Sequence, residues 1–455
     1  MTVKKKSKLK IVLIIFAALI IFVAVYTSVN NWLDSRPKLD YNYGTYSGAA
    51  AAYPDARIAV ISDLHIYDES LGTTGSAFEE TMHSDRKLLL DSETLLDYAI
   101  EDIINSDSEI VFISGDLTKD GELICHEIVA QKLSRLLNAD LKVYVIPGNH
   151  DVNNPDAVSY SGSETTPVPS ISANDFASIY TDFGYGGAIY RDKDSLSYVA
   201  EPVEGLWLLA VDACRYEENQ PGYEEIVGGK LSQATADWMA QILTEAREKN
   251  KAVIAMMHHG FTEHWSGQAK LHPDYIVEDF RHIGPFLASY DVRLAFSGHY
   301  HAQDITRADF GENGFLYDVE TGSLVTSPCP IRYCLISDNT VQIKSSTIVD
   351  KIYPGTDFAE NATAFVKTTV VAEAYNTLKK YKVSDKDAEY IADALGDAFV
   401  AHYYGDEITA DKPPFDKSRL NIWGRFVLFI QSYVLENLWI DLTPADNNAT
   451  FSLDR

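Results

Sequence analysis

Five short apolar runs in this chain are each followed by residues with carboxylate, imidazole or amide side chains. The runs are RIAVIS, EIVFIS, KVYVI, AVIAMM and VRLAFS, and the polar motifs after them are DLH, GDLT, GNHD, HHG and GHYH. Runs of this length and composition predict strands, and helix-length segments between several of them, such as 92–105 and 232–249, predict an α/β domain. Open α/β sheets bind ligands at the carboxyl ends of their strands, so the pattern constrains both the fold and the position of a site.

The polar motifs also favour one kind of ligand. Buried carboxylates and imidazoles are costly unless a partner compensates them, and a metal cluster would serve all five strand ends. His, Asp and Asn donors without thiolates suit Mn, Fe, Zn, Ni or Co, and a carboxylate can bridge two ions about 3.5–4 Å apart. A single DLH or GDLT motif is usually an ordinary turn, but their joint occurrence in this order favours a metal centre.

At these motifs the chain resembles the calcineurin-like metallophosphoesterases, whose pattern D-x-H, G-D, G-N-H-D/E, H and G-H-x-H is matched within residues 56–350. The motif set is most similar to the branch that includes class III cyclic-nucleotide phosphodiesterases. The tyrosine ligand that purple acid phosphatases carry after G-D is absent. The resemblance implies a four-layer α-β-β-α sandwich of two mixed sheets.

The resemblance further implies two metal ions bridged by one carboxylate, that of Asp116. The ligands implied for the first ion are Asp63, His65, Asp116 and His301, and those for the second are Asp116, Asn149, His258 and His299. Mn and Fe are favoured among the five metals. The implied reaction is hydrolysis of a phosphate ester by a metal-activated hydroxide, without a covalent enzyme intermediate.

Two residues of GNHD are predicted to be catalytic. His150 would face the substrate phosphate and either stabilise its charge or protonate the leaving alkoxide, and Asp151 would orient its ring. Of the two histidines in MHHG, His258 directly follows the strand and is the predicted ligand. Weaker candidates for substrate contacts, for which an ordinary surface role is the alternative, are His259, Arg215, Lys119, Asn153 and Asn154.

The chain divides by composition into four parts. Residues 1–33 contain a lysine-rich flank and an uncharged apolar run at 11–26, which predict a transmembrane signal-anchor, and residues 34–54 read as a tether. Residues 55–353 are the predicted phosphoesterase domain. Residues 356–455 are predicted to form a small all-α domain, with helices at about 358–381, 384–404 and 418–438. Its aromatic residues either line the catalytic cleft or pack in a core.

The basic flank predicts a single-pass protein of the cell membrane with its catalytic domain outside, and a secreted form after signal cleavage is the alternative. Export would allow disulfides, for example between Cys329 and Cys334, although buried free thiols are equally compatible with the spacing of the four cysteines. A net charge of −28 argues against binding of nucleic-acid polymers.

These observations lead to three hypotheses about function. The first is an exported, membrane-tethered dimetal phosphodiesterase, with cyclic nucleotides among the candidate substrates. The second is an extracellular phosphomonoesterase or nucleotidase. The third is a surface binding protein with a structural metal site, which is disfavoured because the predicted ligands and His150 are all present. The sequence leaves the oligomeric state open.

Overall fold

The computed structural model describes residues 37–45 and 49–454. The predicted membrane anchor and the lysine-rich flank before it lie outside these residues. Among the residues described, no helix has both the length and the apolar character needed to cross a membrane.

Fifteen strands are found in the described residues. They are β1 (Ala56–Ile61), β2 (Ile110–Ile113), β3 (Lys142–Val145), β4 (Val158–Ser161), β5 (Glu164–Pro167), β6 (Tyr190–Arg191), β7 (Tyr198–Val203), β8 (Leu206–Val211), β9 (Ala252–Met257), β10 (Leu294–Ser297), β11 (Asp304–Asp309), β12 (Phe315–Glu320), β13 (Pro330–Ser337), β14 (Thr340–Thr347) and β15 (Asn448–Ser452). Sheet one has the order β15-β14-β13-β1-β2-β3, sheet two has the order β11-β12-β10-β9-β8-β7-β6, and β4 pairs with β5.

The α-helices of the described residues flank these sheets and form the C-terminal region. They are α1 (Ser76–Ser84), α2 (Ser92–Ile104), α3 (Leu123–Asn138), α4 (Ala173–Ile179), α5 (Gln233–Glu248), α6 (Gln268–Leu271), α7 (Phe280–Ser289), α8 (Phe358–Lys380), α9 (Asp385–Tyr404) and α10 (Ile422–Asn437). The predicted α/β architecture with two mixed sheets and a C-terminal helical region is confirmed.

The two sheets share one apolar core. Ile254 and Phe296 of sheet two belong to the same buried cluster as Val111 of sheet one and Leu133 of α3. The alternate residues of sheet two, such as Val253, face the other way and pack in a second cluster with α5 and α7. This alternation follows from the two-residue period of a strand and gives four layers, helix, sheet, sheet and helix.

Parallel pairing places the polar motifs together. β1, β2 and β3 run parallel, with Ile61 level with Ile113 and Ile113 level with Val145. In sheet two, β9 and β10 also run parallel. The residues that follow these five strands therefore emerge at the carboxyl ends of their sheets, where the sequence predicted a site.

The C-terminal helices form a third apolar cluster, in which Ile391 and Leu428 pack with Trp265 and Tyr300 of the phosphoesterase body. The prediction of an all-α character for residues 356–455 is wrong in one element. The chain returns to sheet one as β15, which pairs antiparallel with β14. Phe451 of this strand stacks on Tyr317 with ring centroids 4.0 Å apart, and this contact favours the strand over a helical end.

A cluster of ionisable side chains is buried where the helical region meets sheet two. His264 Nδ1 lies 2.7 Å from Asp304 Oδ1, and its Nε2 lies 3.6 Å from Glu320 Oε2. The Glu320 carboxylate accepts no hydrogen bond from the residues described here. Arg332 donates instead to the backbone oxygens of Glu320 and Asp304. Burial, reinforced by Asp304 and opposed by His264, raises the pKa of Glu320 to about 8.

This shift predicts a pH-dependent effect of Glu320→Gln on stability. The pKa of Glu320 is higher in the folded protein than in the unfolded chain. Its contribution to stability is therefore complete below the unfolded-state pKa and is lost as the pH rises to about 8. The free energy of unfolding of the variant minus that of the wild type should therefore increase between pH 5 and 8, by at most about 1.4 kcal/mol per pH unit. Urea denaturation at each pH measures this. The exposed Glu312→Gln is the matched control, and parallel curves for wild type and Glu320→Gln would contradict the prediction.

Candidate metal centre

The turns after the strands hold five predicted ligands in the left-handed region of backbone space. Their φ values are 52° for Asp63, 38° for His65, 49° for Asp116, 76° for His299 and 66° for His301. Such values are uncommon outside glycine and cluster at functional sites. Backbone hydrogen bonds fix two of these turns to each other, because the amides of Asp63 and His65 donate to the carbonyls of Gly115 and Asp116 at 3.0 Å.

A glycine allows the GNHD turn to approach Asp116. A Cβ atom at position 148 would lie 2.0 Å from Asp116 Oδ1, which leaves no room for any side chain. The backbone amide of His150, two residues later, donates to the same oxygen at 3.1 Å. The glycine of the motif is thus required by this close contact.

The first group of donors consists of Asp63, His65 and His301, whose candidate ligand atoms lie within 4.8 Å of one another. His301 Nε2 is 3.3 Å from Asp63 Oδ1, and the Nε2 atoms of His65 and His301 are 3.4 Å apart. Asp63 and His65 are fully buried. Two imidazole nitrogens that face each other across a carboxylate oxygen form a convergent set of donors.

The second group consists of Asp116, His258 and His299. His258 Nε2 is 3.3 Å from Asp116 Oδ2. Its other nitrogen, Nδ1, lies 2.7 Å from the backbone oxygen of Ser114, which places a proton on Nδ1 and makes Nε2 the atom that could coordinate a metal. Asn149, in the turn after β3, is buried, and neither atom of its side-chain amide has a hydrogen-bond partner among the described residues.

Asp116 connects the two groups. Its Oδ2 lies 3.5 Å from His65 Nε2 as well as 3.3 Å from His258 Nε2. Burial raises the pKa of Asp116, but His258, His150 and His65 outweigh it and hold the pKa well below its usual range. Asp116 is therefore an ionised carboxylate in the protein interior, placed as a bridge would be.

These residues fit a pair of metal ions. Asp63 Oδ1 and the Asn149 amide are buried polar groups without hydrogen-bond partners in the described residues, as expected of groups that point at an ion. Burial also lowers the pKa of His65 and of His299 well below the usual value. Both rings are therefore neutral, which is the form that binds a metal.

The residue that orients the His150 ring is Asp120, which the sequence did not suggest. His150 Nδ1 lies 2.9 Å from Asp120 Oδ1. Lys119 and His150 outweigh burial and hold the pKa of Asp120 at about 2, so Asp120 is ionised. The same contact, together with Asp116, raises the pKa of His150 to about 9 against the effects of burial and Lys87. The two carboxylates thus favour the protonated form of the imidazole.

The predicted contact between Asp151 and the His150 ring is wrong. The Asp151 carboxylate accepts hydrogen bonds from the backbone amides of Gly148, Leu117 and Thr118 at 2.8, 3.1 and 2.9 Å. The chain turns sharply here, so neighbouring side chains point in different directions. Asp151 thus joins the turn after β3 to the turn after β2 and stabilises the backbone on which the candidate ligands lie.

Three of the five weaker candidates for substrate contacts bind other partners. His259 is buried behind the centre, with Nε2 2.9 Å from the Val227 carbonyl and its ring centroid 4.5 Å from that of His299. Lys119 forms a buried ion pair with Asp120. Arg215 forms an ion pair with Glu218 at 2.6 Å.

Two charged residues near the centre were missed. Lys87, almost fully buried, lowers the pKa of His65 and His150, and Glu225 Oε1 lies 3.7 Å from His150 Nε2. Neither follows a predicted strand, so neither carried a sequence signal.

All four cysteines are free thiols. Cys329 and Cys334 are both buried, and Cys334 lies within β13. Of the two alternatives left open by the sequence, the structure contains the free thiols.

A carboxylate shared by two groups of nitrogen and oxygen donors defines a dinuclear metal centre of the kind that hydrolases use. The family model for calcineurin-like phosphoesterases matches residues 56–303, more than half of the chain, and the protein belongs to this family. Membership of this family makes it a metal-dependent hydrolase of phosphate esters.

Several solved structures are similar to this chain. A dimetal phosphatase from Danio rerio is 16% identical, with a TM-score of 0.46 over 65% of this chain and 97% of that one. A purple acid phosphatase from yellow lupin is 12% identical, with a TM-score of 0.35 over 67% and 53%. A sulfate thiohydrolase from Thermus thermophilus is 12% identical, with a TM-score of 0.37 over 72% and 62%. Among curated proteins none matches.

Proposed function

We propose that the protein is a dinuclear phosphodiesterase that is tethered to the cell membrane and acts outside the cell. The observation that carries the catalytic part is the position of His150. Its side chain is 17% exposed, its Nδ1 is held by Asp120, and its Nε2 lies 3.9 Å from Asp116 Oδ2 at the junction of the two donor groups.

The donor groups suggest how the ions would be held. Asp63, His65 and His301 would bind one ion and Asp116, His258 and His299 the other. Asp116 would bridge to the first ion through its contact with His65, and the unpartnered amide of Asn149 would complete the second set. When bound, the two ions would activate a water molecule as nucleophile and neutralise the charge on the phosphate oxygens.

The chain itself supplies the proton for the leaving group. The ionised Asp120 accepts the hydrogen bond from Nδ1 of His150, which keeps the imidazole protonated and fixes the direction of Nε2. His150 then donates the Nε2 proton to the oxygen of the departing alcohol. Asp151 keeps the two turns in register through its bonds to backbone amides.

The preference for diesters rests on the sequence resemblance to the cyclic-nucleotide phosphodiesterases, and the alternative is a phosphomonoesterase or nucleotidase. With the full-length protein in detergent, we expect bis-p-nitrophenyl phosphate to be hydrolysed faster than p-nitrophenyl phosphate. The activity should be lost with EDTA and restored by Mn²⁺ or Fe²⁺. A faster rate on the monoester would favour the alternative.

The location rests on the lysine-rich flank and the apolar run at 11–26. If the catalytic domain is outside, protease added to intact cells should digest a C-terminal epitope tag without lysis. Recovery of the tagged protein in the culture medium would instead indicate cleavage of the N-terminal segment.

A further inference from the structure

An apolar cavity of about 240 Å³ lies between the C-terminal helices and the phosphoesterase body. Side chains from all three long C-terminal helices line it, including Val370 and Leu378 of α8, Ile391 and Phe399 of α9, and Leu428 of α10. Its polar groups include Arg86, whose guanidinium donates to Tyr403 Oη at 2.7 Å and to Glu373 at 3.2 Å. The cavity is thus suited to an apolar ligand with a polar end.

The cavity adjoins the metal centre. Tyr275 lines the cavity, and its ring packs against that of His299 with centroids 4.6 Å apart. Arg86 also lines the cavity and is followed directly in the chain by Lys87, which acts electrostatically on Asp116, Asp120 and His65. The ring of Tyr275 therefore lies between one side of the cavity and His299, a candidate metal ligand.

Helix α10 is apolar on two sides. Val427, Leu428, Val434 and Leu435 line the cavity. The opposite side exposes large apolar side chains, with Ile422 89% exposed and Ile430 50% exposed, and the others are Trp423, Phe426 and Phe429. A contiguous exposed face of this kind on one helix marks contact with a membrane or another partner.

Charge favours a lipid surface as the partner. Lys412, Lys417, Arg419 and Arg425 lie within residues 411–425, against Asp411 and Asp416, and Lys417 also pairs with Glu436 at 3.1 Å, so the segment is locally basic in a chain whose net charge is −28. Basic residues beside an apolar helical face are typical of segments that bind anionic membrane surfaces. The location proposed above would place the domain next to such a surface.

We propose that the substrates are amphiphilic phosphate esters taken from a membrane surface. Helix α10 lies on the lipid, the hydrocarbon part of the substrate enters the cavity, and the phosphate reaches the metal centre. In the reaction, a water oxygen bonds to phosphorus, the bond between phosphorus and the alcohol oxygen breaks, and the alcohol leaves with a proton from His150. The proton lost by the water passes to solvent, from which His150 is protonated again. This inference rests on the phosphodiesterase function proposed above and adds the substrate class.

The test compares p-nitrophenyl alkyl phosphodiesters with methyl, butyl and octyl groups on the full-length protein in detergent. The ratio kcat/KM is expected to rise with chain length, by up to about fourfold for each added CH₂ that the cavity buries. Hydrolysis of all esters at equal rates would overturn the substrate class and leave the phosphodiesterase function standing. Absence of hydrolysis of every ester would overturn the function itself.

Substitutions in the cavity lining test whether the dependence of kcat/KM on alkyl chain length arises from binding in this cavity. Ala374 lines the cavity on α8, and Ala374→Trp should flatten the dependence on chain length. Ala372→Trp places the same side chain at an exposed position of the same helix and should keep the dependence. Far-ultraviolet circular dichroism and metal content show that both variants are folded. A chain-length dependence that survives in Ala374→Trp would exclude this cavity as the binding site.

Surface variants test the lipid contact. The octyl ester is presented in vesicles of phosphatidylcholine and phosphatidylglycerol or in detergent solution, and the ratio of the two rates is measured. Ile422→Glu with Ile430→Glu should lower this ratio severalfold. Tyr223→Glu, at a residue that is 71% exposed elsewhere, should not change it. An unchanged ratio in the double variant would assign the exposed face to a partner other than lipid and overturn the proposal.

Discussion

Asp116→Asn is expected to bind little metal and to lose hydrolysis by on the order of 10⁴-fold in kcat/KM. Asp116 Oδ2 lies within 3.5 Å of a histidine from each donor group, so the variant removes a negative charge shared by both candidate ion sites. The remaining histidines and the Asn149 amide are neutral ligands, which leaves Asp63 as the only carboxylate of the predicted set.

Inductively coupled plasma mass spectrometry after Mn²⁺ loading measures the metal content, and bis-p-nitrophenyl phosphate hydrolysis gives the rate. Asp182→Asn, at an exposed position, is the matched control and should retain both. If Asp116→Asn bound two equivalents of metal as tightly as the wild type, the bridging position assigned to Asp116 would be wrong.

His150→Ala is expected to lower kcat by about 10² to 10⁴-fold while metal content stays at the wild-type level. The loss should be largest for alkyl leaving groups, which need a proton, and smallest for p-nitrophenolate. Asp120→Asn should lower kcat in the same pattern but by less, because the imidazole stays in place and loses only its ionised partner.

Metal analysis decides between two roles for this imidazole. The candidate ligand atoms of His150, His65 and Asp116 lie within 4.8 Å of one another, so the geometry also permits coordination. Loss of one equivalent of metal in His150→Ala would make His150 a ligand and exclude the role of proton donor. Asp151→Asn provides the comparison, since its hydrogen bonds to Leu117, Thr118 and Gly148 predict a loss of stability instead.

The strand ends were predictable because parallel pairing leaves little freedom. Each of β1, β2, β3, β9 and β10 is a short apolar run, and the residue after such a run can only emerge at the carboxyl edge of its sheet. The donors Asp63, Asp116 and His258 could therefore be brought together from sequence alone.

The partner of His150 could not be predicted in this way. Whether Asp151 or Asp120 meets the ring depends on side-chain directions in two turns with left-handed residues, and no periodicity encodes these. The same holds for Lys87, which approaches the centre from a segment without regular structure just before α2. Sequence patterns indicate which residues reach an edge, and packing decides how they meet there.

The return of β15 to sheet one has a mechanical consequence for the helical region. α8, α9 and α10 are in effect a long insertion between two neighbouring strands of one sheet, β14 and β15. Both ends of the insertion are attached to adjacent, paired strands, so two segments of chain rather than one join the helices to the phosphoesterase body. A truncation that removes β15 would leave the helical region joined to sheet one only through the segment that follows β14.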